Sequence, residues 1–291
     1  MVGAVVLFAL AAPFIQGGPS PMVYKQAADK WRADYAEGLL RPEGWLSVAG
    51  LFWLKEGTNT VGSAEECEVR LPAHASPPMA GNISRTGDKC RLTAFPGVDL
   101  KVNGQPAISG DLNSDAAEKV DRLAIGGVTF KVIQRGERIG VRLYDPKCKG
   151  RTDYHGLHWY PADEKWVVKA KFVPYTTKKT AMITNVLGDT SPVDIPGYLS
   201  FTLDGKECKL DAQDEGVLFL NFQDTTSGKS TYGAGRFLYT DKPDKDGNVV
   251  IDFNQTTNPP CAYTSFATCP LPPAGNRLDV AVTAGEKKYH N

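Results

Sequence analysis

The chain has no excess of either charge: 33 lysines and arginines balance 33 aspartates and glutamates. A surface without net charge sets up no long-range field to gather nucleic acid or an anionic membrane, so neither is expected as a partner. Histidine is scarce, with four in the chain, and only His155 and His158 lie near one another. No carboxylate or thiol stands at a recognised ligand spacing from that pair, so both read as surface imidazoles and no metal site is expected. Several cofactor signatures begin and do not finish. In "DTTSGKST", residues 224–231, Gln223 stands five positions before Gly228, where a phosphate-binding loop needs glycine. "YGAGRFL" has Gly233 and Gly235 but Leu238 in place of the third glycine of a dinucleotide fingerprint. "DKPDKDGNVVIDF" puts Lys242 and Phe253 at the first and last ligand positions of a calcium loop, so it reads as a charged hairpin turn. There is no Gly-x-Ser-x-Gly elbow to anchor serine-hydrolase chemistry of that type, and no cofactor is expected.

Long apolar runs are also missing. The run from Val2 to Ile15 in "MVGAVVLFALAAPFIQGG" is too short to span a bilayer comfortably and ends in small residues and a turn. Residues 1–19 read as a secretory signal, which makes the protein extracytoplasmic, secreted or periplasmic, with no integral membrane span in the mature chain. The run has no Lys or Arg ahead of it, and this keeps a buried or interfacial start of the mature chain open as the alternative. No cysteine follows closely, so a lipid anchor on a cysteine is not supported. The six cysteines, Cys67, Cys90, Cys148, Cys208, Cys261 and Cys269, permit disulfides in an oxidising compartment without fixing their pairing.

What is present describes a folded, turn-rich protein. Hydrophobic residues make up 42% of the chain, and 29 glycines with 20 prolines exceed what a helical fold needs. Within residues 20–56, Ser20 is placed as an N-cap and Pro21 as the first helical residue. Tyr24, Ala27, Ala28, Trp31, Tyr35 and Leu39 then recur at helical spacing, with Lys25, Asp29, Arg32 and Asp34 between them. This predicts one amphipathic helix whose aromatic stripe packs on the domain. From residue 57 the texture changes to alternating runs, "RLAIGG", "VTFKVIQR", "IGVRLYD", "KWVVKAKFV", "YLSFTL", "VLFLNF" and "RLDVAVTA", broken by Asn-Gly, Gly-Gly and Asp-Gly turns. The fold class is therefore mainly β: the helix, then a β-sandwich-like half at 57–145, then a second antiparallel β-rich half at 146–291. The passage 146–165 is a domain junction or a long connection within one sheet system.

The second half concentrates polar groups. Asp224, Thr226, Tyr232, Arg236, Asp252, Asn254, Asn258, Cys261 and Cys269 fall within fifty residues. If "LFLNFQD", "STYGAGRFL" and "VVIDFN" are neighbouring strands, their ends bring Asp224, Arg236 and Asp252 together. The arginine is then a structural ion pair or a clamp for an anionic ligand. Pro259 and Pro260 fix the backbone ahead of Cys261. Cys261 is consequently a candidate nucleophile whose thiol a nearby arginine would acidify, with Asp252 as an alternative acid/base. The competing reading is a Cys261–Cys269 disulfide contributing roughly 2.5 kcal/mol through loop-closure entropy and framing Asp252, Asn254 and Asn258. Asn254-Gln-Thr256 and Asn82-Ile-Ser84 also match the glycosylation sequon. Three functions remain open: a small-molecule or anion pocket in the second half, a cofactor-independent, hydrolase-like enzyme, and a protein-interaction module.

"GWLSVAGLFWLKEGTNTVGS", "GVRLYDPKCKGRTDYHGLHWYP", "FQDTTSGKSTYGAGRFL" and "DFNQTTNPPCAYTSFATCPLPPAGNRL" with the later "AGE" resemble the bacterial proteins grouped as domain of unknown function 1684, over residues 40–288. The resemblance implies kinship without implying a reaction. It carries the family signature onto Asp224, Tyr232, Arg236, Asp252, Asn254, Asn258, Cys261 and Cys269. In the first half, "GTNTVGSAEECEVRLP", "DLKVNGQPA" and "VDRLAIGGVTFKVI" look like the strand order of forkhead-associated domains, β-sandwiches that bind phosphothreonine. Ser63 follows Gly62 where that family has arginine, and no Ser-x-x-His follows, so the likeness implies the sandwich and not the phosphopeptide site.

Overall fold

The computed structural model describes residues 21–290; the expected signal at 1–19 and the cap Ser20 lie outside the described residues. Helix α1 (Pro21–Leu40) begins at a proline, whose missing N–H costs nothing in a first turn, and stops ahead of Arg41-Pro42, where the proline drives the preceding residue out of helical backbone. No helix among the described residues is long and apolar enough to cross a membrane. The described chain divides into two compact units, one of Gly38–Tyr154 and one formed by residues 21–37 with 155–290.

The first unit is built from β1 (Val48–Trp53), β2 (Gly57–Gly62), β3 (Val69–Arg70), β4 (Gly81–Thr86), β5 (Lys89–Ala94), β6 (Lys101–Val102), β7 (Gln105–Pro106), β8 (Ser109–Leu112), β9 (Leu123–Ile125), β10 (Val128–Arg135) and β11 (Arg138–Tyr144). They form one sheet in the order β1-β11-β10-β9-β6-β7 and a second in the order β3-β2-β4-β5-β8. Alternation does the sorting: β5 buries every second side chain, and residues such as Ile83 and Leu92 from one sheet share a core with Phe130 and Val141 from the other. Asn103 and Gly104 both take positive φ (52° and 81°) in the tight turn between β6 and β7, the conformation that Asn-Gly pairs favour.

The second unit carries β12 (Val167–Thr184), β13 (Thr190–Leu203), β14 (Lys206–Asp214), β15 (Leu218–Phe222), β16 (Arg236–Thr240) and β17 (Asn248–Asp252). Their order is β16-β15-β14-β13-β12-β17, antiparallel throughout. The edge strands curl toward one another, and Thr240 Oγ1 donates to the Val250 carbonyl at 2.6 Å. With that, the mainly β class read from the alternation is what the structure shows.

One expected strand is not a strand. Across "RLDVAVTA" the apolar residues Leu278, Val280, Val282 and Ala284 are buried and the residues between them exposed, the period of a half-buried strand, yet no extended ladder forms. Only the first part pairs with main chain: Leu278 N–H donates to the Gln223 carbonyl (2.8 Å), and Thr225 N–H to that of Val280 (3.1 Å). Beyond it a side chain takes over. Arg236, at the start of β16, donates through Nη1 to the Val282 carbonyl (2.9 Å) and through Nη2 to that of Ala284. The same Nη1 meets Asp224 Oδ2 at 2.8 Å, with both side chains essentially inaccessible (1% and 0%). A guanidinium thus occupies the place of a neighbouring strand, and it holds Val282 and Ala284 in the core, where burial of the valine contributes about 1.5–3 kcal/mol. Just before it, Gly235 lets the chain pass close to Asn221 and Pro272: its φ is +135°, and a Cβ there would lie 2.8 Å from Asn221 Oδ1 and from a Pro272 ring carbon.

Removing one member of a buried ion pair strands the other, which costs about 3–5 kcal/mol. Arg236→Ala is expected to destabilise the second unit by that amount, read as the midpoint shift of its transition in urea. Arg236→Lys is expected to recover only part of the loss, because an ammonium lacks the fork that reaches Asp224 and two carbonyls together.

Candidate functional site

Every residue singled out in the second half can now be placed. Asp224 and Arg236 are paired with each other. Asp252 is not the second carboxylate of that arginine, although the edge strands β16 and β17 approach one another. Its partners are instead Tyr24, Asn254 and Gln255. Tyr24, on α1, donates its hydroxyl to both Asp252 oxygens (2.9 Å each), and Asn254 Nδ2 donates to that hydroxyl at 2.7 Å. Asn254 Oδ1 accepts the Asp163 N–H (3.1 Å), and Asp252 Oδ1 caps the 3-10 turn Phe253–Gln255 by accepting the Asn254 N–H (3.0 Å). Burial raises the Asp252 carboxyl against the pull of these donors. Burial, reinforced by the Asp252 charge, holds the Tyr24 proton far above the ordinary phenol range. The group is a latch that ties α1 to the second unit, and its lone pairs are spent within the fold. Asn254 is 2% exposed, so its sequon is not presented in the folded chain.

Asn258 leads to a carboxylate that sequence reasoning missed. Its N–H donates to Glu286 Oε2 (2.8 Å), and its Nδ2 to the Lys287 carbonyl (2.8 Å). Glu286 is 1% exposed and also accepts the Tyr263 hydroxyl at 2.7–2.8 Å; that hydroxyl lies 3.1 Å from the hydroxyl of Tyr35, on α1. Burial pushes Glu286 up to about 7, while the Asn258 N–H, the Tyr263 hydroxyl and the Arg236 charge pull the other way. Gly285 permits this placement, with φ +73° and a Thr256 carbonyl 2.5 Å from where a Cβ would sit. The stripe on α1 is therefore less simple than an apolar face. Trp31 and Tyr35 stack (5.6 Å) and meet Trp159 edge-on, but Tyr24 also brings its hydroxyl to the half-buried Asp252, and Tyr35 brings its own to the Tyr263 hydroxyl that bonds buried Glu286.

The look-alike phosphate turn is closed on itself. Thr226 N–H donates to Asp224 Oδ1 (2.6 Å), Gly228 N–H to the Thr231 carbonyl (3.0 Å) and Lys229 N–H to the Thr226 carbonyl (3.0 Å), and the Thr226 and Thr231 hydroxyls meet at 2.8 Å. His155 and His158 are exposed, and among the described residues no three His, Cys, Asp or Glu side chains converge on a metal position.

That leaves the cysteine segment. The disulfide considered as a frame is absent: none of the six cysteines is bonded to another. Cys261 and Cys269 are nevertheless adjacent, with Cys261 N–H donating to Cys269 Sγ at 3.2 Å. Cys261 is the middle residue of the 3-10 turn Pro260–Ala262, whose preceding Pro259 is extended (φ −64°, ψ 153°), and it is partly exposed, whereas Cys269 is 5% exposed. Tyr232 donates its hydroxyl to the Cys261 carbonyl at 3.1 Å. A hydrogen bond from the Cys269 thiol lowers the Cys261 thiol below its ordinary value, and further bonds from Tyr232 and the Cys261 main chain overcome the opposing effect of burial. Tyr232 itself is pushed up to about 12 by burial and by Cys261, so it remains a donor. Beside the pair lies the β12–β13 hairpin tip: Val186 N–H donates to the Cys269 carbonyl (2.9 Å), and Val186 and Leu187 are 36% and 40% exposed.

The chain belongs to the family described as "Protein of unknown function (DUF1684)", which it matches over residues 152–287. The match is narrower than the expected 40–288 and leaves out "GWLSVAGLFWLKEGTNTVGS". The chain is similar to the uncharacterized protein from gene locus rrnAC0354 of Haloarcula marismortui, at 35% identity over 47% of this chain and 78% of that one, with a TM-score of 0.40. Two forkhead-associated (FHA) domains are more distant. The FhaA FHA domain, solved with the intracellular domain of Rv3910, is 17% identical over 32% of this chain and 96% of that one (TM-score 0.24). The Rv0020c FHA domain is 20% identical over 33% and 96% (TM-score 0.23). No curated protein matches the chain.

The Glu286 site sets a pH dependence whose sign is fixed. A carboxyl at about 7 in the fold, against 4.5 as its ordinary value, binds its proton more tightly folded than unfolded. Its contribution is therefore full below about pH 4.5 and lost as pH rises through 7, by about 3 kcal/mol at most. Urea unfolding at pH 5 and pH 8 is expected to show the second unit weaker at pH 8, with Glu286→Gln flattening that slope.

Proposed function

We propose that this chain is an exported protein whose second unit binds a small molecule at Cys261 and uses that thiol, without a cofactor, as its reactive group. One observation carries the reading: among the polar residues gathered in the second half, Asp224, Arg236, Asp252 and Asn254 are bonded to partners within the fold, while Cys261 is partly exposed and its thiolate is stabilised by hydrogen bonds. A cysteine in that setting is a nucleophile, because a lowered thiol value raises the thiolate fraction that does the attacking. Tyr232 fixes the Cys261 main chain by donating to its carbonyl. Val186 and Leu187 offer an apolar flank on which a small ligand can rest. The short apolar run at residues 2–15 supports export. An anion clamp at Arg236 is not favoured, since that guanidinium is buried against Asp224 and two carbonyls.

A second reading, protein recognition by the first unit, is favoured by a recess of about 550 Å³ lined by Pro77, Met79, Phe95, Pro96 and Ile125, with Met79 37% exposed. A photo-crosslinker at Met79 in the living cell tests it; capturing no recurrent protein would remove it.

The thiol reading predicts that, in the reduced native protein, iodoacetamide modifies Cys261 with a half-titration below the ordinary thiol value. Tyr232→Phe is expected to slow that modification at neutral pH about two- to tenfold, because the Tyr232 hydroxyl, bonded to the Cys261 carbonyl, helps lower the thiol. Peptide mass spectrometry across a pH series measures both. A Cys261 that resists alkylation until the protein unfolds would overturn the reading.

A further inference from the structure

We propose that Cys261 and Cys269 form a reversible dithiol–disulfide couple that reduces small disulfides, with Cys261 as the attacking sulfur and Cys269 as the resolving one. This rests on the reading of Cys261 as a reactive thiol and adds the chemical class of its substrate.

Placement argues for it first. The two residues stand eight positions apart, yet Cys261 N–H touches Cys269 Sγ at 3.2 Å, so the sulfurs are already neighbours. Each main chain is anchored independently. Pro259 and Pro260 lead into the 3-10 turn at Cys261, closed by Ala262 N–H to the Pro259 carbonyl (2.9 Å). Cys269 is held by its carbonyl to Val186 N–H (2.9 Å), and two residues on, Leu271 N–H donates to the Thr184 carbonyl (2.8 Å). Both main chains are thus anchored on either side of the contact that joins them.

Asymmetry of access sets the order of events. A disulfide arriving from solvent meets the partly exposed Cys261, while Cys269 is shielded and can reach only its neighbour. The Cys261 thiolate attacks one sulfur of R–S–S–R′, forming Cys261–S–S–R and releasing R′S⁻. Cys269 gives up its proton to solvent or to the departing thiolate and attacks the Cys261 sulfur, forming the Cys261–Cys269 bond and releasing RS⁻. In sum, two protein thiols and one disulfide become one protein disulfide and two small thiols; the substrate gains two electrons and the protein loses two. A low-molecular-weight thiol supplied in excess reverses both steps.

The other cysteines are set up differently. Cys67 and Cys148 donate to main-chain carbonyls, those of Pro78 (3.5 Å) and Leu46 (3.1 Å). Burial pushes the Cys90 and Cys208 thiols up.

The full chain, equilibrated in glutathione buffers of stepped oxidised-to-reduced ratio, acid-quenched, alkylated and mapped by peptide mass spectrometry, tests the proposal. The expected result is an intramolecular Cys261–Cys269 bond appearing in one two-electron step. In Cys269→Ser, a glutathione adduct at Cys261 is expected to accumulate about tenfold above wild type, since nothing resolves it. Wild type that keeps both thiols in excess oxidised glutathione, while Cys261 still alkylates readily, would overturn the couple and leave the thiol reading standing. An inert Cys261 would overturn both. The wild-type arm does not depend on any variant folding.

Discussion

The second unit depends on a guanidinium that does the work of a strand. Leu278, Val280, Val282 and Ala284 have to be buried to complete the core, but the segment carrying them finds main-chain partners only along its first part. Its remaining carbonyls would be buried without donors, each at a cost of the same order as a lost hydrogen bond. Arg236 supplies those donors, and Asp224 supplies the countercharge that lets an arginine sit at 1% exposure. The arrangement fixes what comes next in the chain: two residues past Ala284, Glu286 arrives under Tyr263 and beside the Asn258 N–H.

Two carboxylates, half-buried Asp252 and buried Glu286, then tie helix α1 to the same unit through tyrosines, Asp252 through Tyr24 and Glu286 through Tyr263 to Tyr35. These groups resemble an active site in composition and act as joints in practice, because each oxygen is already engaged. The pressure of burial is visible in the raised carboxyl values at both places. Cys261 differs: it is partly exposed, and hydrogen bonds favour its charged form over the effect of burial.

Much of this was legible in the sequence. "VTFKVIQR" is β10 in full, and the alternation of "RLDVAVTA" correctly sorted its buried from its exposed side chains. Alternation reports burial, however, and does not report which group satisfies the backbone, so the missing ladder was not readable. The cluster around Arg236 was visible as composition, while its partner was not: Asp252, sixteen residues away in sequence, is engaged by Tyr24, Asn254 and Gln255 and leaves the arginine to Asp224. Tyr24 and Tyr35 scored as an aromatic stripe because helical spacing does not distinguish a packed ring from a hydroxyl delivered to a buried acid. Glu286 gave only one signal, an acid directly after a buried alternating run and a glycine, "TAGE", and a single carboxylate there reads as a surface residue until its burial is known.

The central claim is that the polar cluster of the second unit is structural and that Cys261 is its one chemically available group. Substoichiometric labelling of all six thiols in the native, fully reduced protein, with each site quantified by peptide mass spectrometry, tests this most directly. The account predicts that Cys261 is modified first and that Cys67, Cys90, Cys208 and Cys269 react only on unfolding. Even labelling across the six, or Cys148 ahead of Cys261, would contradict it.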